Sequence, residues 1–418
     1  MKLKLLFVFL VFQLTYAQQR TCGTQVLMEQ IMSNPIQRQA YLEQQEKFEI
    51  ELQKFETSRN SLSTNALIRI PVAIHYPTAG AVTEVIKTCL RRLAQKQIDI
   101  LNADYNMVNT DISIWNDNDS PLFPGISSGN LNVQFVIATE NHPAESDLNN
   151  GDLAVTFGTD FLGNADTDTT WAGYCNLVVR NISGGILGYS PLGGSPSQGM
   201  TVVIDNNAFG ATLSPSPTSC SNFVPGAPYN KGRTLTHELG HFFNLNHTFQ
   251  SCDGANCATS GDRVCDTPSA NTAAYGCPAL GTVSGCVDTQ LTMNYMDYTD
   301  DACMYMFTAG QATRMLAWYN LIKNQLSTTA LSNETFLENQ FSIYPNPNKG
   351  SFTIEFKELV NSFSVEIFDI TGKTIYENNY DQSSNLLQLI NLDNVTSGVY
   401  FINVKSDKGL VTKKLVIQ

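Results

Sequence analysis

The sequence predicts a mixed α/β domain, with a twisted sheet and one helix bearing the functional residues, followed by a small all-β sandwich. Three observations lead there. Residues 61–326 interleave β-branched and alternating runs with helical apolar stripes, residues 340–418 repeat short alternating strands between turn signals, and a histidine segment of helical spacing lies inside the first stretch.

Residues 1–17 start basic (Lys2, Lys4), continue apolar from Leu5 to Leu14 except at Gln13, and end in small residues at Thr15 and Ala17. This reads as a secretory signal peptide, because the run is about half of what a bilayer-spanning helix needs. No other run approaches that length, so the mature chain is expected to be soluble, without a transmembrane segment, and to meet an oxidising compartment. Residues 18–60 are polar, with Tyr41, Phe48, Leu52 and Phe55 spaced as one helix face. They are either a removable pro-segment or an amphipathic N-terminal helix of the main domain.

At Ile70 to Ile74 a β-branched stretch opens the globular domain. Ile86, Leu90, Leu93 and Ile100 mark a helix, Leu131, Val133, Phe135 and Ile137 alternate as in a half-buried strand, and further strands are expected at Leu177 to Asn181 and Thr201 to Asp205. Glycine and proline between Gly184 and Pro228 predict long loops with no regular element. Residues 327–339 form a polar linker, after which strands are expected at Ser364 to Ile370, Val399 to Val404 and Leu410 to Ile417. That tail has neither His nor Cys and so carries no obvious chemistry. Across 418 residues the net charge is -13 and the pI about 4.8, which repels phosphate backbones and excludes nucleic acid as a partner.

The chemistry concentrates in His237-Glu238-Leu239-Gly240-His241, followed by His247. On a helix His237 and His241 lie one turn apart on one face, so both imidazoles reach a single zinc ion, with Glu238 beside them as the base. For His247 to join them the chain must turn back after the helix. Asn244 is the candidate hinge, since asparagine is the non-glycine residue that most readily visits the left-handed region. Three of five histidines fall within eleven residues, and the other two, His75 and His142, are expected to be structural. Zinc on three neutral imidazoles keeps one position for water and lowers its pKa from about 15.7 towards 7.

Downstream lies Met293-Asn294-Tyr295-Met296-Asp297-Tyr298, which resembles the methionine turn that floors the three imidazoles in metzincins; the resemblance implies Met296 as that floor, and Tyr298 is a hydroxyl expected to reach the site. Residues 70–325 resemble the pappalysin family of metzincins, bacterial branch. The matching stretches are Ala227 to Thr234 before the helix, Asp266-Thr267-Pro268, Asn294 to Tyr298, and Asp300 to Met304 running on to Phe307 to Gln311. The resemblance implies a metzincin-like zincin domain that cleaves peptide bonds inside proteins with one catalytic zinc. It also implies structural calcium, for which Asp253, Asp262 and Asp266 are conceivable ligands or merely solvated acids.

Arg20-Thr21-Cys22-Gly23 is similar to the inhibitory cysteine segment of such pro-enzymes, which implies that the Cys22 thiolate holds the fourth zinc position until the segment is removed. Otherwise Cys22 simply pairs. Setting it aside leaves nine of ten cysteines, an odd number. Cys252, Cys257, Cys265, Cys277, Cys286 and Cys303 are expected to staple loops by disulfides, and the resemblance implies Cys257 with Cys286 and Cys277 with Cys303.

The tail resembles type IX sorting modules of Ig-like sandwich fold, on Tyr344-Pro345-Asn346-Pro347, Phe368 to Lys373, Gly398-Val399-Tyr400 and Lys413 to Ile417. It implies contact with secretion machinery and export across an outer membrane to the exterior or cell surface. Without that resemblance the same residues describe a sandwich that binds a surface polymer. An extended protein or peptide substrate is expected to add a strand along Gly184 to Ser190, with Asp300 and Asp301 favouring basic side chains. The rival from another class is a secreted binding or adhesion protein on an inactive metalloprotease scaffold, and the intact Glu238 and three histidines argue against it.

Overall fold

The computed structural model describes residues 19–58, 67–158, 167–212, 220, 223–254, 256–331, 341–356, 362–381, 387–392, 395–406 and 409–418. The expected signal peptide lies outside them. The chain divides after Ala330 into two compact units. Among the described residues no helix is long and apolar enough to cross a membrane.

The first unit opens with α1 (Thr24–Ser33) and α2 (Pro35–Ser58). The Asn34 side chain accepts from the N–H groups of Ile36 and Gln37, and Pro35 opens α2 where its missing N–H costs nothing. The expected face is turned inward: Phe48 is fully buried against Trp318 at 5.4 Å, and Leu52 and Phe55 pack on the same core.

The sheet is built from β1 (Ile68–Tyr76), β2 (Val133–Ile137), β3 (Val155–Phe157), β4 (Cys175–Arg180), β5 (Gly188–Tyr189) and β6 (Thr201–Asp205). Its order is β2-β1-β4-β6-β5, with β3 also on β1. All pairings are parallel except β5 with β6. The inner strands β1, β4 and β6 are almost continuously buried, as parallel strands covered on both faces must be, whereas β2 alternates. The helix α3 (Glu84–Tyr105) lays Leu90, Leu93, Ile98 and Leu101 into the core, and α4 (Ile112–Ile114) is a single turn. Two further helices, α5 (Arg233–Phe242) and α6 (Ala309–Ile322), complete the unit, with α5 packed on α3 and β6. Two-residue β5 falls in the stretch where the sequence offered no periodicity.

Eight of the ten cysteines pair, as Cys89–Cys220, Cys252–Cys286, Cys257–Cys265 and Cys277–Cys303, while Cys22 and Cys175 are free and buried. Cys277–Cys303 is the expected bond. The pairing of Cys257 with Cys286 is corrected: a hydrogen bond from Gly261 N–H to the Ser251 carbonyl folds the loop back, leaving the Cα atoms of Cys257 and Cys265 4.9 Å apart. A bond from Cys286 N–H to the Ser269 carbonyl brings Cys286 to Cys252 instead, at 5.6 Å between Cα atoms. The odd thiol left by setting Cys22 aside is Cys175 in β4.

The second unit contains β7 (Phe341–Tyr344), β8 (Ser351–Phe356), β9 (Ser362–Asp369), β10 (Thr374–Asp381), β11 (Leu387–Asn391), β12 (Gly398–Ser406) and β13 (Gly409–Ile417). They form antiparallel sheets ordered β10-β9-β12-β13 and β11-β8-β7 around Phe352, Ile354, Val365, Ile367, Ile402 and Leu415. The three expected strands are β9, β12 and β13. Of the expected linker, Ser327 to Ala330 pack on the first unit, where the Ala330 carbonyl accepts from Thr139 and Glu140, while 332–340 lie outside the described residues.

Candidate metal centre

The helix α5 starts after Gly232 in the left-handed region (φ 76) and carries His237, Glu238 and His241, all buried. Gly240 is needed for its closeness to the turn below, because a Cβ there would sit 2.5 Å from the Met296 sulfur. Met296 is thus buried directly against the helix that carries His237 and His241. The helix ends as anticipated at Asn244, with φ 68. Asn244 N–H bonds the His241 carbonyl and Leu245 N–H bonds the Gly240 carbonyl, the paired closure of a left-handed helix end.

That closure returns the chain so that His247 faces the other two rings. Its Nε2 lies 3.2 Å from Nε2 of His237 and 3.1 Å from Nε2 of His241. The Nδ1 atoms of His237 and His241 each sit 2.6 Å from a backbone carbonyl, of Tyr295 and Leu245 respectively. Nδ1 is therefore the protonated nitrogen in both, and the converging Nε2 atoms present lone pairs to one another. Lone pairs so close repel unless a cation lies among them, and ligands about 2.0–2.1 Å from a tetrahedral zinc are spaced at about 3.3 Å. The donor set fits zinc.

Cys22 completes the group, its Sγ and the three ring nitrogens all lying within 4.8 Å of one another. Among the described residues this is the one cluster of His, Cys, Asp and Glu with ligand spacing. The segment around Cys22 runs parallel to the edge strand β5: Leu187 N–H donates to the Thr21 carbonyl at 2.9 Å, and Gly23 N–H to the Gly188 carbonyl at 2.8 Å. The expected docking edge, Gly184 to Ser190, is thus occupied by the chain itself. Gly188 is obligatory there, because a Cβ would meet Glu238 Cγ at 2.8 Å.

Glu238 Oε2 is 3.3 Å from both Cys22 Sγ and the Thr24 hydroxyl, and the Tyr298 hydroxyl accepts from Cys22 N–H at 3.3 Å. Arg20, two residues before Cys22, is only 2 % exposed and fills a deep pocket. Its guanidinium contacts Asp301 at 2.5 Å, the Thr299 carbonyl at 3.2 Å and the Thr234 hydroxyl at 3.2 Å, and lies 5.1 Å over the Tyr229 ring.

Burial sets the electrostatics. It holds His241 down at about 4 and His237 and His247 well below their usual range, so the rings stay neutral and able to ligate. It pushes Glu238 up to about 8 and, reinforced by Glu238, raises the Cys22 thiol. A thiolate in this pocket needs a neighbouring cation.

The structure thus brings together His237, Glu238, His241, His247, Met296, Tyr298 and Cys22. It does not assemble Asp253, Asp262 and Asp266 into a group of side-chain ligands. Asp262 accepts from Gln311 and Val264, Asp266 from the Thr308 hydroxyl and Gly310 N–H at the start of α6, and Asp253 is exposed. His75 is buried between Thr156 and Asn176, and His142 meets the Asp152 carbonyl, both structural as anticipated. Thr24 and Thr299 carry no sequence signal of their own, because their roles depend on contacts across long separations.

Residues 171–320 match the model of the pregnancy-associated plasma protein-A family, and residues 342–418 that of the secretion system C-terminal sorting domain. An extracellular metalloprotease of Verticillium alfalfae is 47% identical over 106 residues, covering 24% of this chain and 37% of that protein. Extracellular metalloprotease 1 of Coccidioides posadasii is 43% identical over 148 residues, covering 34% of this chain and 49% of that protein. The chain therefore spans a third to a half of the length of the curated relatives it matches. A promirolysin point mutant of Tannerella forsythia is similar in structure, with TM-score 0.53 and 26% identity over 74% of this chain and 98% of that one. Residues 171–320 are thus a segment of the pappalysin metalloprotease type, and residues 342–418 a secretion-system sorting domain.

Proposed function

We propose that this protein is an exported zinc endopeptidase, held latent by its own N-terminal segment, that cuts proteins beside a basic side chain. The observation that carries the reading is the convergence of three Nε2 atoms and the Cys22 sulfur on one point, with Glu238 alongside. His237, His241 and His247 would hold the zinc. A zinc ion there supplies Lewis acidity, acidifying a water to a pKa of about 7 and polarising a peptide carbonyl.

The protein's own groups divide the remaining tasks. Glu238, buried and raised to about 8, readily takes a proton and returns it to a departing amine. Tyr298, whose ring is 5.8 Å from His237 and 5.1 Å from His247, offers a hydroxyl to a developing oxyanion. The β5 edge aligns an extended peptide through its backbone. The Arg20 pocket, closed by the buried Asp301, admits an arginine or lysine.

In the latent chain Cys22 faces the metal position, Thr24 approaches the base, Arg20 fills the pocket and Thr21 to Gly23 cover the edge. The name promirolysin marks that relative as a pro-form, in keeping with the reading. The sorting-domain match supports export through secretion machinery to the cell surface or exterior. Cleavage of casein or gelatin by the processed chain, abolished by a chelator and by Glu238→Ala, is the expected result. Undiminished cleavage by Glu238→Ala would overturn the mechanism.

A further inference from the structure

We propose that Arg233 and Tyr295 are positioning residues for the first metal ligand. The guanidinium on the opening turn of α5 fixes the residue whose carbonyl orients the His237 ring. The inference rests on the metal-centre reading above and adds Arg233 and the Tyr295 side chain, which that reading does not use.

Arg233 lies one helical turn before His237, on the same face of α5. Its Nη1 donates to the Tyr295 hydroxyl and lies 2.7 Å from Asp104 Oδ1, while its Nη2 meets both Asp111 oxygens at 2.9 and 3.0 Å. The guanidinium also stands 5.2 Å over the Tyr295 ring. Tyr295 in turn offers its carbonyl to His237 Nδ1 at 2.6 Å. These contacts close a ring: Arg233, one turn of helix, His237, the Tyr295 backbone, and the Tyr295 side chain back to Arg233. Every member is buried, with Arg233 6% and Tyr295 0% exposed.

The comparison with His241 says why such a clamp is needed. His241 Nδ1 is held by the Leu245 carbonyl, which the helix closure places automatically. The acceptor for His237 comes from a segment 58 residues away in sequence, so only a tertiary contact can fix it. Asp104 adds a second tie to the same helix, accepting from the Thr236 hydroxyl at 2.6 Å. A group that orients a histidine ligand through its second nitrogen typically changes metal affinity about 10- to 100-fold when lost.

The test uses the full chain, with zinc affinity measured by chelator competition and the visible spectrum recorded after cobalt substitution. Tyr295→Phe keeps the ring and the carbonyl and loses only the hydroxyl that Arg233 holds. Arg233→Lys keeps the charge opposite Asp104 and Asp111 and loses the fork. Tyr305→Phe is the matched control: it removes another buried tyrosine hydroxyl, bonded to Asp119, whose residue bonds the same downstream turn at Met293. The expected result is zinc binding weakened about tenfold or more in Tyr295→Phe and in Arg233→Lys, with shifted cobalt bands, and neither change in Tyr305→Phe. Parent-like zinc affinity and spectrum in Tyr295→Phe overturn the proposal even if the melting temperature falls, and so does an equal loss in the control. Absence of zinc binding by the parent would instead sink the metal-centre reading itself.

Discussion

The Arg20 pocket makes a quantitative prediction for Asp301→Asn. Asp301 is fully buried and its two oxygens are committed: Oδ1 to Arg20, Oδ2 to the N–H groups of Lys231 at 2.8 Å and Arg233 at 3.3 Å. An asparagine must turn its oxygen to the two backbone donors, which points its NH2 at the incoming guanidinium, donor against donor. Removing one partner of a buried ion pair costs about 3–5 kcal/mol, or roughly 10²–10⁴-fold in kcat/KM when the other partner is a substrate side chain. The assay compares two peptides differing only in arginine or norleucine beside the cut, mapped by mass spectrometry. The parent should prefer arginine by that factor, and Asp301→Asn should bring the ratio near one with little loss on norleucine. A variant that still prefers arginine a hundredfold would refute the assignment of this pocket to substrate.

Three further outcomes are expected. Cys22→Ala leaves the Arg20 pair and the two backbone bonds to β5 intact, so the uncut chain should hydrolyse a fluorogenic peptide slowly and incompletely. No hydrolysis at all by the zinc-loaded variant would show that the thiol is dispensable for latency. Gly240→Ala drives a methyl to 2.5 Å from the Met296 sulfur, and thermal melts should show a loss of about 1–3 kcal/mol; an unchanged melting temperature would remove Met296 as the floor of the site. His75 is lowered to about 3 by burial, partly offset by Asn176. A base with a depressed folded pKa binds fewer protons folded than unfolded, so its contribution is intact above pH 6.5 and lost as pH falls towards about 3, on the order of 4–5 kcal/mol in total. Urea unfolding at pH 7 and pH 4 should show a smaller difference in His75→Gln than in the parent, and equal differences would exclude His75.

Where a local rule governs the outcome, the sequence was legible. The apolar face of α2 and the alternation of β2 followed from periods of 3.6 and 2, and the span of β6 from a short β-branched run. Asn244 was legible because few side chains tolerate φ 68. β5 was not legible as a strand, since two residues hold no period, although Gly184 to Ser190 was the expected docking edge. The partner of Cys257 was not either, because loop closure between Ser251 and Gly261 depends on turns at Asn256 that spacing does not encode. Arg233 reads as an ordinary first-turn arginine until Asp104, Asp111 and Tyr295 arrive from elsewhere in the chain.

On the proposed reading, the same geometry explains why the N-terminal segment blocks the cleft without being cut there. Tyr298 is the hydroxyl positioned for an oxyanion, yet here it accepts a hydrogen bond from Cys22 N–H. The neighbouring Thr21 carbonyl is turned away to Leu187 N–H, and the atom facing the three histidines is a sulfur. The segment thus offers the reaction centre a donor and a ligand where a substrate must offer a carbonyl. Running parallel to β5 produces this, because reversing the direction of a paired strand exchanges the places of its N–H and C=O groups along the edge. Latency then requires no distortion of His237, Glu238 or His241, and removal of the segment leaves a site that needs only to admit a peptide in a register that brings a carbonyl to the metal.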